Sequence, residues 1–457
     1  MLLGNRIEFV LVLFAAARLG AITVPLSTRE QAPGLAYMLA QCGATLVVHE
    51  PELAPLLPGA ADAPQLRVRV ATGMCAGSED FAALLADFPA LAPVVTQQED
   101  TAVIMYTSGT TGRPKGAMLT QLGIVHSSMH YQIAMGLGPA DCSIAAVPLS
   151  HVTGLVALIT TIVRCAGKLV IMPAFKAVDF LVLAEREGMT YSLMVPAMYN
   201  LCLLRPEFAQ YDLSRWRVGA YGGAPMPVAT ITTLAQSLPS LMLMNCYGST
   251  ETTSPSTLMP PGQTVAHNDS VGTALACVDI RVMDEAGREL PPDQLGEIWI
   301  RGPMTVRGYW DNPQGTAASF TAGYWHSGDI GSVDAQGYVK VVDRMKDMIN
   351  RGGYKIYTIE VENALYAHPA VQECAVVSKP CPVLGERVHA FVALKSPGAT
   401  TAAELQAYCK VRLSDYKVPE SFTLSDIPLP RNANGKLVKQ AMRAALLAEL
   451  ANAQGTP

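Results

Sequence analysis

The side chains best suited to holding a polyphosphate lie at residues 106–117, YTSGTTGRPKGA. Three threonines, a serine and three glycines surround a single lysine. Glycine lets a loop adopt positive φ and bring backbone N–H groups close to an anion, and the hydroxyls add further donors. Lys115 supplies a compact positive charge. The spacing is not that of the common nucleotide loop, which needs four residues between its last two glycines and a Lys-Ser/Thr pair after them. Here two residues separate Gly109 from Gly112, and Lys115 is followed by Gly116. The apolar run 102–105 predicts a short strand, so the loop follows a strand end, where phosphate sites of α/β folds gather. Alone, it reads equally well as a Gly/Thr surface turn.

Four further stretches carry chemistry. In 245–253 (NCYGSTETT), after the apolar run 241–244, Tyr247 is suited to stack on a purine. Gly248 lets a ligand approach the backbone, and Glu251 is a hard oxygen ligand for Mg²⁺. In 324–331 (YWHSGDIG), Asp329 sits in a Gly-flanked turn and suits the two neighbouring hydroxyls of a ribose. In 343–362 (DRMKDMINRGGYKIYTIEVE), Arg344 suits the same ribose, and Gly352-Gly353 imply a tight backbone. In 430–440 (PRNANGKLVKQ), Lys436 stands behind an Asn-Gly turn. Each stretch also has a plain structural reading as a polar turn, an Asp-stabilised turn or a solvated lysine.

Taken in this order over nearly the whole chain, the five stretches resemble the superfamily of acyl- and aryl-CoA synthetases, peptide-synthetase adenylation domains and luciferases. The resemblance implies an enzyme that joins a carboxylic acid to AMP from ATP and passes the acyl group to CoA, or to a carrier protein. It assigns Thr107, Ser108, Gly109, Thr110, Thr111 and Lys115 to the β- and γ-phosphates. Thr250 and Glu251 would hold the α-phosphate and Mg²⁺, and Asp329 with Arg344 the ribose. Adenine would lie between Tyr247 and the Gly222-Gly223-Ala224 segment, with Asn245 and Gly248 in the same nucleotide-binding stretch. Lys436 would reach in from a small mobile domain that turns at Lys346, after which Gly352 and Gly353 line the path of the thiol.

For the acid, Pro148-Leu149-Ser150-His151 followed by Thr153-Gly154 resembles the CoA-synthetase form, with His151 at the site. No Asp or Glu lies between Cys142 and Arg164, which disfavours an amino-acid substrate. The implied wall, including Val195, Tyr199, Tyr221 and Met259, is mostly apolar and suits a fatty or aromatic acid. A standalone adenylation enzyme, a luciferase-like enzyme and an inactive nucleotide-binding member are the alternatives, and a homodimer is compatible. Relative to the superfamily the N-terminus reads as shortened, since MLLGNR leads almost at once into its "N-S-x-E-F" helix; an exposed apolar edge or a partner is the expectation.

The elements that must position these residues follow from length and pattern. At 457 residues the chain is too long for one core. The expected fold class is α/β: a large domain of layered α/β sheets over 1–343, with a β-rich part at about 272–342, then a small mobile α+β domain over 344–457. Apolar runs at 45–49, 168–172 and 191–195 predict strands, as do 279–283, 296–300, 338–342, 371–377 and 388–394. Residues 358–366 and 402–413 predict helices. The stretch 9–17 (FVLVLFAAA) reads as a buried helix followed by a strand at 21–26, because Arg6, Glu8 and Arg18 do not fit a secretion signal. A net charge of −5 with no basic run gives no reason to expect nucleic acid. Scattered cysteines without C-x-x-C pairs and the lack of a transmembrane run point to a cytoplasmic protein.

Overall fold

The computed structural model describes residues 1–85, 91–107, 113–431 and 437–454, the side chains of the last four excepted. The chain divides into two compact units. One is Met1–Met226, Thr230–Ile280 and Trp299–His326; the other is Pro227–Ala229, Arg281–Ile298 and Ser327–Pro457.

The first unit is organised by a seven-stranded sheet. Its order is Thr273–Ala274, Thr257–Leu258, Met242–Tyr247, Val218–Gly222, Tyr191–Met194, Cys142–Ala145 and Lys168–Ile171. The last five of these run parallel to one another. Cys142–Ala145 and Tyr191–Met194 are buried at every position, as expected for parallel strands covered on both faces. From Cys142–Ala145 the chain moves outward to Lys168–Ile171, then returns to the other side with Tyr191–Met194. The strand order therefore reverses between two neighbours, which leaves a crevice beyond their carboxyl ends.

The phosphate-type loop closes an antiparallel hairpin of Thr101–Thr107 with Lys115–Thr120, in which Thr107 faces Lys115. It is thus not the strand-to-helix turn of dinucleotide folds. The helix Gln121–Met135 begins one residue later, its first turn capped by the Thr120 hydroxyl, which accepts from the Gly123 N–H at 3.0 Å. It ends at Gly136, whose φ of 58° closes the last turn.

Two expectations at the start of the chain are corrected. The helix Ile7–Arg18 covers 9–17, yet it buries only Phe9 and Leu13, and Ile7 is 64% exposed. An apolar run with one packed face is not a buried helix. Residues 21–26 form no strand: Thr23 makes a single bridge with Val103, and its N–H and C=O are satisfied by Ala102 and Ile104. Pro25, which lacks an N–H, cannot extend that ladder.

In the second unit the strands 371–377 and 388–394 are parts of a longer hairpin, Val371–Cys381 with Gly385–Leu394. Ile349–Arg351 and Tyr354–Ile356 extend this sheet, and Ser421–Ser425 lies parallel to Gly385–Leu394. The expected helix 402–413 is Ala402–Lys410, fixed at its start by a capping box of Thr401 and Glu404. Ile349, Ile356, Val361, Leu365, Val376 and Val388 share one core.

His389 is buried in that sheet, its Nδ1 2.7 Å from Ser421 Oγ and its Nε2 3.0 Å from Thr423 Oγ1. Burial, reinforced by Lys379, pushes its pKa down to about 4. The unfolded chain therefore binds this proton at a higher pH than the folded one, so stability is full near neutrality and falls as pH drops from about 6.5 to about 4. Melting curves across that window will show a decline that His389→Asn makes shallower; an equal decline in the variant contradicts the assignment.

Candidate active site

Within the first unit the centre of the arrangement is Glu251. It lies in a 3₁₀ turn, Thr250–Thr252, held by a capping box between Ser249 and Thr252. Glu251 as a whole is 7% exposed. Among the described residues it receives three hydroxyl donors: Thr107 Oγ1 at 3.3 Å, Tyr309 Oη at 3.0 Å and Ser249 Oγ at 3.1 Å. Hydroxyls satisfy a buried carboxylate without neutralising it. They leave a negative oxygen group beside the phosphate-type hairpin, a donor set that fits Mg²⁺. Thr250 is also buried.

Thr107 and Lys115 face each other across the hairpin, and the Lys115 ammonium stands 4.9 Å from the centre of the Tyr309 ring. Tyr309 therefore touches both the acidic and the basic member of the site. Burial first, then the Glu251 charge, holds its phenol pKa well above the usual tyrosine value, so it stays a proton donor to Glu251. Sequence reasoning passed over this residue. The signal available was an aromatic with a polar tip next to a glycine, Gly308-Tyr309, as Tyr247 stands next to Gly248. Ser108, Gly109, Thr110 and Thr111 lie outside the described residues.

Parallel pairing assembles the expected adenine-flanking set. Tyr221 pairs with Asn245 and Gly222 with Cys246, so the ends of two neighbouring strands bring Gly222, Gly223 and Ala224 alongside Asn245, Tyr247 and Gly248. A Cβ at Gly222 would stand 2.4 Å from the Cys246 carbonyl oxygen, so only glycine fits there. Asn245 donates to the Ser270 carbonyl at 3.2 Å.

The crevice of the strand reversal is bordered by residues that follow its two strands. His151 follows Cys142–Ala145. Its Nδ1 accepts from the Thr153 N–H at 3.3 Å and lies 3.1 Å from Thr153 Oγ1, which puts the ring proton of the neutral form on Nε2. Val195 follows Tyr191–Met194 and is 37% exposed. Tyr199 and Tyr221, by contrast, are 1% exposed and Met259 is fully buried. The Tyr199 hydroxyl donates to the Ala220 carbonyl at 2.8 Å, and its ring stacks on Trp216.

In the second unit, Asp329 and Arg344 are direct cross-strand partners, joined by an ion pair of 2.7 Å between Nε and Oδ1. The Asp329 side chain is 7% exposed and that of Arg344 is 42% exposed. Lys346 is exposed in the turn that follows, where the Asp347 and Met348 N–H groups both donate to the Arg344 carbonyl. Asp343 anchors the start of that turn through Thr358 Oγ1 at 3.0 Å and the Arg344 N–H at 2.8 Å. Gly352 and Gly353, with φ of 58° and 93°, form the tight turn between Ile349–Arg351 and Tyr354–Ile356. Lys436 lies outside the described residues.

Comparison with known proteins fits this geometry. The model of the family described as "AMP-binding enzyme" matches residues 1–310, and that of "AMP-binding enzyme C-terminal domain" matches 360–436. A feruloyl-CoA synthase from an Amycolatopsis species is 36% identical over 440 residues, covering 96% of this chain and 87% of that protein. The anthranilate CoA ligase AuaEII in complex with anthranoyl-AMP superposes with a TM-score of 0.90 at 26% identity, over 98% of this chain and 87% of that one. The O-succinylbenzoate coenzyme A synthetase MenE from Bacillus subtilis, in complex with ATP and magnesium ion, gives 0.82 at 29% identity, over 96% and 87%.

Removing the phenolic donor tests the role of Tyr309. A hydrogen bond to a charged group contributes about 1.5–3 kcal/mol, so Tyr309→Phe is expected to weaken Mg·ATP binding about 10- to 100-fold in isothermal titration calorimetry. Binding of ATP in EDTA should change far less. Equal losses with and without Mg²⁺ would place Tyr309 outside the metal-holding group.

Proposed function

The chain belongs to the AMP-binding enzymes, and on that premise we propose that it is an ATP-dependent carboxylic acid–CoA ligase acting on an apolar acid, aromatic rather than aliphatic. The observation that carries the reading is the buried Glu251 carboxylate, held by hydroxyls beside Lys115 at the base of the phosphate-type hairpin. Similarity to a feruloyl-CoA synthase and to an anthranilate CoA ligase supports the aromatic choice and CoA as the thiol. Cytoplasmic location and a homodimer remain part of the proposal. Among the described residues no helix is long and apolar enough to cross a membrane.

The chemistry joins two anions. A carboxylate must attack the α-phosphorus of ATP, so the residues around it must align the groups and offset their charge. Mg²⁺, when bound, supplies charge neutralisation to the phosphate oxygens. Glu251 and Thr250 hold that end of the nucleotide, and Thr107, Ser108, Gly109, Thr110, Thr111 and Lys115 hold the phosphates that depart. Tyr247, Asn245 and Gly248 with Gly222, Gly223 and Ala224 hold the base, and Asp329 with Arg344 the ribose. His151 and Val195 border the acid, with Tyr199, Tyr221 and Met259 supporting the wall from the core.

In the first half-reaction the acid oxygen bonds to the α-phosphorus and pyrophosphate leaves. In the second the CoA sulfur bonds to the acyl carbon and AMP leaves. Lys436 serves the first. Turning of the small domain at Lys346 then brings Gly352 and Gly353 to the thiol path, a gating step of the kind that lids and hinged domains provide.

The protein with ATP, Mg²⁺ and a panel of aryl and fatty acids, with and without CoA, tests this by mass spectrometry. Pyrophosphate, AMP and an aryl-CoA thioester are expected, with higher kcat/KM for aryl acids; no pyrophosphate with any acid overturns the reading. Lys436→Ala is expected to abolish adenylation while still converting supplied acyl-AMP and CoA to thioester. Equal loss of both half-reactions contradicts its assignment to the first alone.

A further inference from the structure

The peptide that delivers His151 to the crevice is held by a side chain 146 positions earlier in the sequence. The Asn5 amide nitrogen lies within hydrogen-bond distance of three carbonyl oxygens: Ala145 at 3.3 Å, Val147 at 2.9 Å and Met172 at 3.0 Å. Its oxygen accepts from the Leu149 N–H at 2.9 Å. Ala145 is the last residue of its strand, and Met172 is the first beyond Lys168–Ile171. The Met172 N–H still donates to the Ala145 carbonyl at 3.2 Å, and the Val147 and Met172 carbonyls and the Leu149 N–H lie beyond the paired residues of the ladder. Backbone groups at such a place need partners, and one planar amide supplies both donors and an acceptor.

Asn5 is itself fixed from behind. The Leu2 N–H donates to the Val48 carbonyl at 2.8 Å, and the Gly4 N–H donates to Glu50 Oε1 at 2.7 Å. This ties the segment before Asn5 to the strand Leu46–His49. Beyond Leu149, the His151 N–H donates to the Pro148 carbonyl and the His151 carbonyl accepts from Leu155. The course from Ala145 to His151 is thus set at one end by the sheet, in the middle by Asn5 and at the far end by the following helical segment.

We propose that Asn5 is a positioning residue for the acid: through Val147 and Leu149 it sets where His151 stands on the wall of the crevice. This rests on the ligase reading and deepens it, because that reading assigns the crevice to the carboxylic acid and the hairpin to ATP. Asn5 bonds to the first and to no part of the second, so its loss should act on one substrate alone. A residue with a purely stabilising role would lower the folded fraction and leave both KM values unchanged.

The test is Asn5→Asp, which keeps size and shape but replaces both donors with oxygen facing three carbonyls. Initial rates of pyrophosphate release are measured with an aryl and an aliphatic acid, varying acid and ATP separately. The KM for acid is expected to rise at least about tenfold, as for a lost buried hydrogen bond. The KM for ATP should stay within about twofold, and the ratio of kcat/KM between the two acids should change. Should Asn5→Asp not fold, Asn5→Ser carries the same comparison at 20 °C. An unchanged acid KM and acid preference, whatever happens to the melting temperature, overturns the inference while leaving the ligase reading intact. A wild-type protein that releases no pyrophosphate overturns both.

Discussion

A buried carboxylate bonded by three hydroxyls, with no directly bonded lysine or arginine among the described residues, is the constraint on which the first unit depends. Glu251 is reached by hydroxyls from Thr107, Ser249 and Tyr309, which come from three separate parts of the chain. Burying a charge in this way is costly unless its oxygens are hydrogen-bonded. The arrangement therefore fixes the base of the hairpin, the turn after Met242–Tyr247 and the segment around Tyr309 relative to one another. A negative group so held is poorly matched to an anionic triphosphate alone and well matched to one accompanied by a divalent cation. Lys115, packed over the Tyr309 ring, places the opposite charge where departing phosphates would need it.

The acid side rests on a different kind of constraint. Parallel strands leave a crevice where their order reverses, and this sheet reverses between Cys142–Ala145 and Tyr191–Met194. The residues that follow those strands border it whatever their identity; in the proposed ligase His151 would bring the chemistry there and Val195 the apolar surface. The second unit repeats the economy on a smaller scale. Pairing of Asp329 with Arg344 across one ladder holds a carboxylate and a guanidinium in one ion pair, the two groups proposed for the ribose.

What could be read in the sequence was the chemistry that is local in the chain. Thr107 with Lys115, Asn245 to Glu251, and Gly352-Gly353 each lie within a dozen residues, and the fold keeps each set together. What could not be read was contact at a distance. Tyr309 is 58 residues from Glu251, and Asn5 is 144 from Leu149; nothing in their neighbourhoods shows where the side chain ends. Burial misled for a related reason. Tyr199 and Tyr221 belong to a wall by position, yet the core claims both rings, and the Tyr199 hydroxyl is bonded to Ala220. The run 9–17 is apolar on all sides, so its pattern carried no sign of which face would pack.

The proposed role of Glu251, carrying the divalent ion of the nucleotide, is addressed directly by one diffraction measurement. Crystals grown with Mn²⁺ and a non-hydrolysable ATP analogue give an anomalous peak that distinguishes the metal from water and light atoms. That role predicts the peak about 2.1 Å from a Glu251 carboxylate oxygen, and its loss in Glu251→Gln. A nucleotide-bound Mn²⁺ coordinated elsewhere, with Glu251 still bonded only to its three hydroxyls, would contradict it.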